Sequence, residues 1–90
     1  WDPVKAAMNL KKHGIGFDEA SLVFDDPLCL SEQDRIEEGE ERWQTIGSVA
    51  GCLLLLVAHT FHLENENVEV VRIISARRAD KNERRRYENG

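Results

Sequence analysis

The residues with the clearest chemical capacity in this chain are arginines. From Arg72 to Tyr87 it reads RIISARRADKNERRRY, with six arginines and one lysine in sixteen residues. A guanidinium stays charged and forms bidentate bonds to phosphate oxygens, so the stretch offers an anion grip. Strand alternation, carried this far, sets Arg72 and Arg78 on one side and Arg77 on the other. A regular strand therefore does not bring both Arg77 and Arg78 to one site. Arg72 falls in mid-strand, where a charge needs a use or a partner. The structural alternative for all three is solvation of the sheet end or pairing with glutamates. Arg84, Arg85 and Arg86 read as a solvated helix face or as partner contacts.

Proton-transfer groups are fewer, and each has a second reading. His13 lies beside Lys12 in a KHG corner, and histidine exchanges protons near neutral pH. Helix C-termini followed by glycine favour histidine for dipole reasons alone. Lys12 and Lys5 share a helix face and suit a phosphate or plain solvent. Glu83 serves as a base or completes a helix cap. His59 ends an apolar strand and fits a core or rim histidine, while His62 beside a turn fits an exposed one. Arg42 follows an acidic run and reaches either the site or Glu40 and Glu41. The run itself, Glu37, Glu38, Glu40 and Glu41, reads as a solvated loop or as a dock for a basic partner segment. Carboxylates and histidines do not cluster at metal-ligand spacing, so no metal or other cofactor is expected.

Net charge is −5 over 90 residues. It is unevenly spread: residues 1–71 carry 5 basic and 14 acidic side chains, residues 72–90 carry 7 and 3. An acidic body with a basic end points to a local anion-binding surface or to an acidic partner protein. The length suits one domain, residues 1–90. The longest apolar run, residues 52–58, is too short to span a membrane, and no secretory leader opens the sequence. Cys29 and Cys52 sit in apolar surroundings and read as buried thiols in a reducing cytoplasm, with a disulfide between them left open.

The elements that must position these groups follow from caps and periodicity. Asp2 and Pro3 start a helix that runs to about Lys12 and stops at Gly14. Its apolar arc is Val4, Ala7, Met8 and Leu10; Lys5, Asn9, Lys12 and His13 lie opposite. A short second helix covers Phe17–Phe24, capped by Gly16 or Asp18, and Pro27 follows its end. A short strand at residues 28–30 is then followed by an acidic loop, Ser31–Glu41. Strands are expected over residues 42–47, 52–61 and 68–76, joined by short turns into an antiparallel meander. A last helix, Asp80–Glu88, carries a capping box between Asp80 and Glu83, with Tyr87 as its one apolar anchor. The expected class is α+β, with helices packed on one face of a sheet of about four strands and a helix at the C-terminus.

Across nearly its whole length the sequence resembles the BrnT toxin family. The resemblance rests on WDPVKAAMNLKKHGIGFDEASLVFDDPL, ERWQTIG, LLLVAHT and VRIISARRADKNERRRYENG. Its most specific pieces are WDxxKxxxNxxKHG and RIISARRAxxxERRRY. Gly16 departs from the Ser or Thr usual at that N-cap, a matter of stability. The resemblance implies a RelE-like fold with two N-terminal helices on the sheet, and ribonuclease activity that inhibits translation. It also implies a ribbon-helix-helix, DNA-binding antitoxin of the BrnA kind, whose complex with the toxin represses their operon. RNA cleavage without metal needs a base for the 2′-hydroxyl proton, an acid for the leaving 5′-oxygen and cations on the phosphate. On this reading the candidate site residues are His13, Lys12, Arg72, Arg77, Arg78 and Tyr87; the last resembles the terminal tyrosine that RelE-like nucleases set over their substrate. A non-catalytic module acting with the antitoxin in operon repression is the alternative.

Overall fold

The computed structural model describes residues 1–51 and 53–90. Helix α1 (Pro3–His13) begins where expected: the Asp2 carboxylate accepts from the Val4 N–H at 2.9 Å, and Gly14 closes it at φ 73°. Helix α2 (Phe17–Ala20) is a single turn that passes into a 3-10 turn over Ser21–Asp25. The N-terminal part thus holds one long helix and one short one, rather than two comparable helices.

Four strands follow: β1 (Leu30–Glu37), β2 (Glu40–Val49), β3 (Leu53–Asn65) and β4 (Val68–Arg78), in the antiparallel order β1-β2-β3-β4. The acidic segment expected as a loop is mostly β1. Its side chains are almost all exposed, as an edge strand open to water on both sides permits, and so it shows no alternation of polar and apolar residues. Glu38 (φ 52°) and Gly39 (φ 76°) turn the chain between the paired Glu37 and Glu40. Two successive positive φ angles are what a tight two-residue hairpin requires. Strands β2, β3 and β4 all run further than their sequence patterns indicate.

The sheet has two unlike faces. On one, Leu55, Val57, Ile73 and Ala76 pack with Val49 against Ile15, Phe17, Ala20 and Val23 from the helical segment. Burying side chains of this size stabilises by about 1.5–3 kcal/mol each. The 3-10 turn approaches so closely that a Cβ on Gly47 would lie 2.8 Å from the Val23 carbonyl oxygen and from its Cβ. On the other face Ile46, Leu54 and Leu56 pack with Ala79 and Tyr87. Helix α3 (Lys81–Asn89) therefore lies opposite the N-terminal helices, which corrects the one-faced arrangement. Alternation through β3, with Leu54 and Leu56 on one side and Leu55 and Val57 on the other, dictates the split.

The inward side of α1 also differs from expectation, although Lys5, Lys12 and His13 are exposed. Asn9 is 6% exposed, whereas Val4, Met8 and Leu10 are open and Met8 is 66% exposed. The reason is the free edge of β4. The Asn9 amide nitrogen donates to the Ala76 carbonyl (2.9 Å) and to that of Ile15 (3.0 Å), and its oxygen accepts from the Ala76 N–H (3.1 Å). The side chain satisfies edge-strand groups that, among the described residues, no fifth strand reaches.

Candidate functional site

The half of the second face that α3 leaves uncovered is polar. Register places Arg42, Thr60 and Arg72 side by side across β2, β3 and β4. Two residues before Arg42 on the same strand face, the Glu40 carboxylate accepts from Arg72 Nη2 at 2.9 Å and faces Arg42 Nη2 at 3.5 Å. The Arg42 Nε–H is buried without a hydrogen-bond partner among the described residues. Two guanidiniums thus converge on one carboxylate, leaving a surplus positive charge and unused donors at an open surface.

The arginines of the C-terminal stretch do not form one cluster. Ala58 pairs with Ser75 but His59 with Ile73, so Ile74 is an extra, unpaired residue in β4. This bulge shifts the alternation by one. Arg72 and Arg77, opposite Thr60 and Leu56, share a face, and Arg78, opposite Leu55, points to the other. The grouping expected from regular alternation, Arg72 with Arg78, is therefore corrected. Arg77 is engaged elsewhere, giving Nη1 and Nη2 to the two oxygens of Glu83 at 2.7 and 2.8 Å. Glu83 also accepts from the Asp80 N–H, while Asp80 accepts from the Glu83 N–H, which completes the capping box. The guanidinium holds the Glu83 carboxyl below its ordinary range, and Glu83 in turn raises Arg77.

Tyr87 is similarly held. Its hydroxyl donates to Asp26 Oδ2 at 2.5 Å, and that hydrogen bond is the main cause of a phenol pushed up to about 12. The same carboxylate accepts from the Ser48 N–H (2.8 Å), and together these bonds lower Asp26. Two ion pairs, Arg77–Glu83 and Arg86–Glu32 (2.7 Å), join Tyr87 in docking α3, so the helix has more ties than its one apolar residue suggested.

Lys12 and His13 line a separate groove of about 660 Å³ between α1 and β4, with Lys5, Met8, Asn9, Lys11, Ile74 and Ser75. Its lining includes none of Arg72, Arg77 and Arg78. His59 is 4% exposed, with Nε2 at 2.7 Å from the Thr45 hydroxyl and Nδ1 at 3.0 Å from the Thr60 carbonyl; burial lowers its pKa. It is a satisfied core histidine. Cys29 is half-buried, and Cys52, its candidate disulfide partner, lies outside the described residues. Glu40 is the residue that sequence reasoning placed in a solvated loop. The signal that locates it is hairpin pairing, with Glu37 and Glu40 closing a two-residue turn ahead of Arg42.

Fold and site together define a small α+β protein whose sheet is helix-covered on one face and half-open on the other, with paired arginines on the open part. The sequence matches, over residues 1–83, the family described as ribonuclease toxin, BrnT, of type II toxin–antitoxin system, and the chain belongs to that family. No curated protein matches it. Membership makes the chain a ribonuclease toxin, with RNA as its target and an antitoxin as its partner. Among the described residues no helix is long and apolar enough to cross a membrane, and no three His, Cys, Asp or Glu side chains come together as a metal-holding group.

Proposed function

We propose that this chain is a RelE-like endoribonuclease that cuts RNA without a metal ion and thereby inhibits translation in the cytoplasm. One observation carries the reading: Arg42 and Arg72 converge on the open half-face, held 3.5 and 2.9 Å from a single carboxylate. A phosphodiester entering there meets a fork of charged donors that is already positioned, which is the electrostatic part of phosphoryl chemistry. In this reading Arg72 binds the scissile phosphate. Arg77 and Tyr87 fix α3 beside it, and Arg78 contacts RNA or partner from the opposite face. Lys12 and His13 act from the α1 groove on a neighbouring stretch of RNA. The antitoxin is a BrnA-like ribbon-helix-helix protein that silences the toxin by covering basic surface.

The test is cleavage of a purified RNA in excess EDTA, with growth arrest on expression as its cellular counterpart. The intact chain cuts, and folded Arg72→Ala loses about 100-fold in rate, the usual consequence of removing one charge-stabilising donor. Full-rate cleavage by folded Arg72→Ala overturns the phosphate assignment. A strict need for added divalent ion overturns the metal-free reaction.

A further inference from the structure

Beside the arginine pair the sheet brings together a carboxylate and an imidazole. Glu40 and His62 each lie two residues beyond Arg42 and Thr60, the last pair of the β2–β3 ladder. Both line a groove of about 560 Å³ at the end of the sheet, with Glu38, Gly39, Glu41, Phe61 and Leu63. The Glu40 carboxylate reaches Arg72 Nη2 at 2.9 Å across β3, the strand that carries His62. His62 pairs with Val70 in β4, two residues from Arg72 and on the same face. The charged groups facing this corner are thus Arg35 and Glu37 from β1, Glu40 and Arg42 from β2, His62 from β3, Arg72 from β4 and Glu38 from the hairpin turn. Glu41 turns away, its Oε2 accepting from Trp43 Nε1 at 3.3 Å.

We infer that Glu40 and His62 are the general base and general acid of RNA cleavage, with Arg42 and Arg72 holding the phosphate between them; the inference rests on the ribonuclease reading above. Glu40, an acceptor for Arg72 Nη2, has lone pairs to offer and no proton to give, which assigns it the base role. It takes the proton of the 2′-hydroxyl. The 2′-oxygen bonds to phosphorus, and the bond from phosphorus to the 5′-oxygen breaks with its electron pair going to that oxygen. The protonated His62 imidazole supplies the leaving oxygen with its proton. The products are a 2′,3′-cyclic phosphate and a 5′-hydroxyl. Glu40 ends protonated and His62 neutral, and exchange with water restores both, so no oxidant, metal or co-reactant enters the balance. When the phosphate occupies the arginines, the carboxylate is released toward the 2′-hydroxyl. The Arg72–Glu40 ion pair is therefore the resting form of the site.

The experiment measures single-turnover cleavage of a purified RNA in EDTA across pH, for the intact chain and for Glu40→Gln and His62→Gln. Glu40→Gln keeps a hydrogen bond to Arg72, and His62 is exposed, so thermal melting reports whether either variant is folded. Each loses about 100-fold or more, within the 10²–10⁴ range of general acid–base catalysis. Glu40→Gln flattens the acid-side limb of the profile and His62→Gln the alkaline-side limb. A merely structural ion pair would shift melting and leave the profile intact. If the intact chain cuts while both folded variants stay within twofold of it at every pH, the acid–base assignment fails and the ribonuclease reading survives. If the intact chain cuts no RNA, the ribonuclease reading fails and takes this inference with it.

Discussion

Asn9 shows how one side chain can decide which side of a helix turns inward. Its amide contributes three hydrogen bonds to backbone groups of Ala76 and Ile15, at 2.9 to 3.1 Å. Replacing it with alanine strands buried donors and acceptors, at about 1–3 kcal/mol for each group left unpaired. With partial relaxation, Asn9→Ala is expected to cost roughly 3 kcal/mol, read as a fall in the denaturant midpoint without change of slope. A loss below about 0.5 kcal/mol would show that solvent replaces the amide. Residue chemistry was legible in part. The Asp2 and Asp80 caps and the role of Gly14 follow from local rules, and Arg72 was singled out as a mid-strand charge. Asn9, Glu40 and the tether on Tyr87 were not legible, because each depends on a partner distant in the chain: Ala76, Arg72 and Asp26.

At the scale of elements, the 3-10 turn is pressed closely onto β2. Val23 sits on Gly47 with no room for a methyl group between them. Gly47→Ala must push the turn off the sheet, and overpacking of this kind costs typically 1–3 kcal/mol. The expected result is a drop in melting temperature of about 10 °C, since 1 kcal/mol shifts a domain of this size by about 4–8 °C. An unchanged melting temperature would mean that the two elements separate freely. Strand existence was readable for β2, β3 and β4, whose apolar stretches mark them. The edge strand β1 was hidden because an exposed strand needs no apolar face, and its glutamates imitate a loop. The placement of α3 on the opposite face follows from alternation in β3. It was missed because Tyr87 alone does not reveal which face it seeks.

The whole molecule responds to pH through its buried and tied groups. His59 is held neutral by burial, so its proton affinity in the fold lies below that of the unfolded chain, near 6.5. As pH falls through about 6.5 the unfolded state binds that proton first, and stability declines until the folded imidazole also titrates. Asp26 and Glu83 are depressed by Tyr87 and Arg77 respectively. Their contribution is complete above the unfolded carboxylate value of about 4 and is lost as pH falls through their lower folded values. Melting temperature is therefore expected to be level from about pH 7 to 9, to fall on the acid side from about 6.5, and to fall again below about 4. It is also expected to fall above about 10, where the unfolded chain gives up the Tyr87 proton first. His59→Gln should lower the whole curve and flatten its first decline. If that decline persists unchanged in His59→Gln, His59 is not its source.

The extra residue at Ile74 has a consequence at the level of the gene. One codon of this strand specifies a residue outside the pairing pattern. Delete it and the ladder closes with its pairs kept, Arg72 opposite Thr60 and Arg77 opposite Leu56, still on one face. Substitutions tune this strand gradually, and a three-base deletion at this codon straightens it without exchanging its two surfaces. Sequences aligned across this strand with a misplaced one-residue gap would pair arginines that face opposite ways.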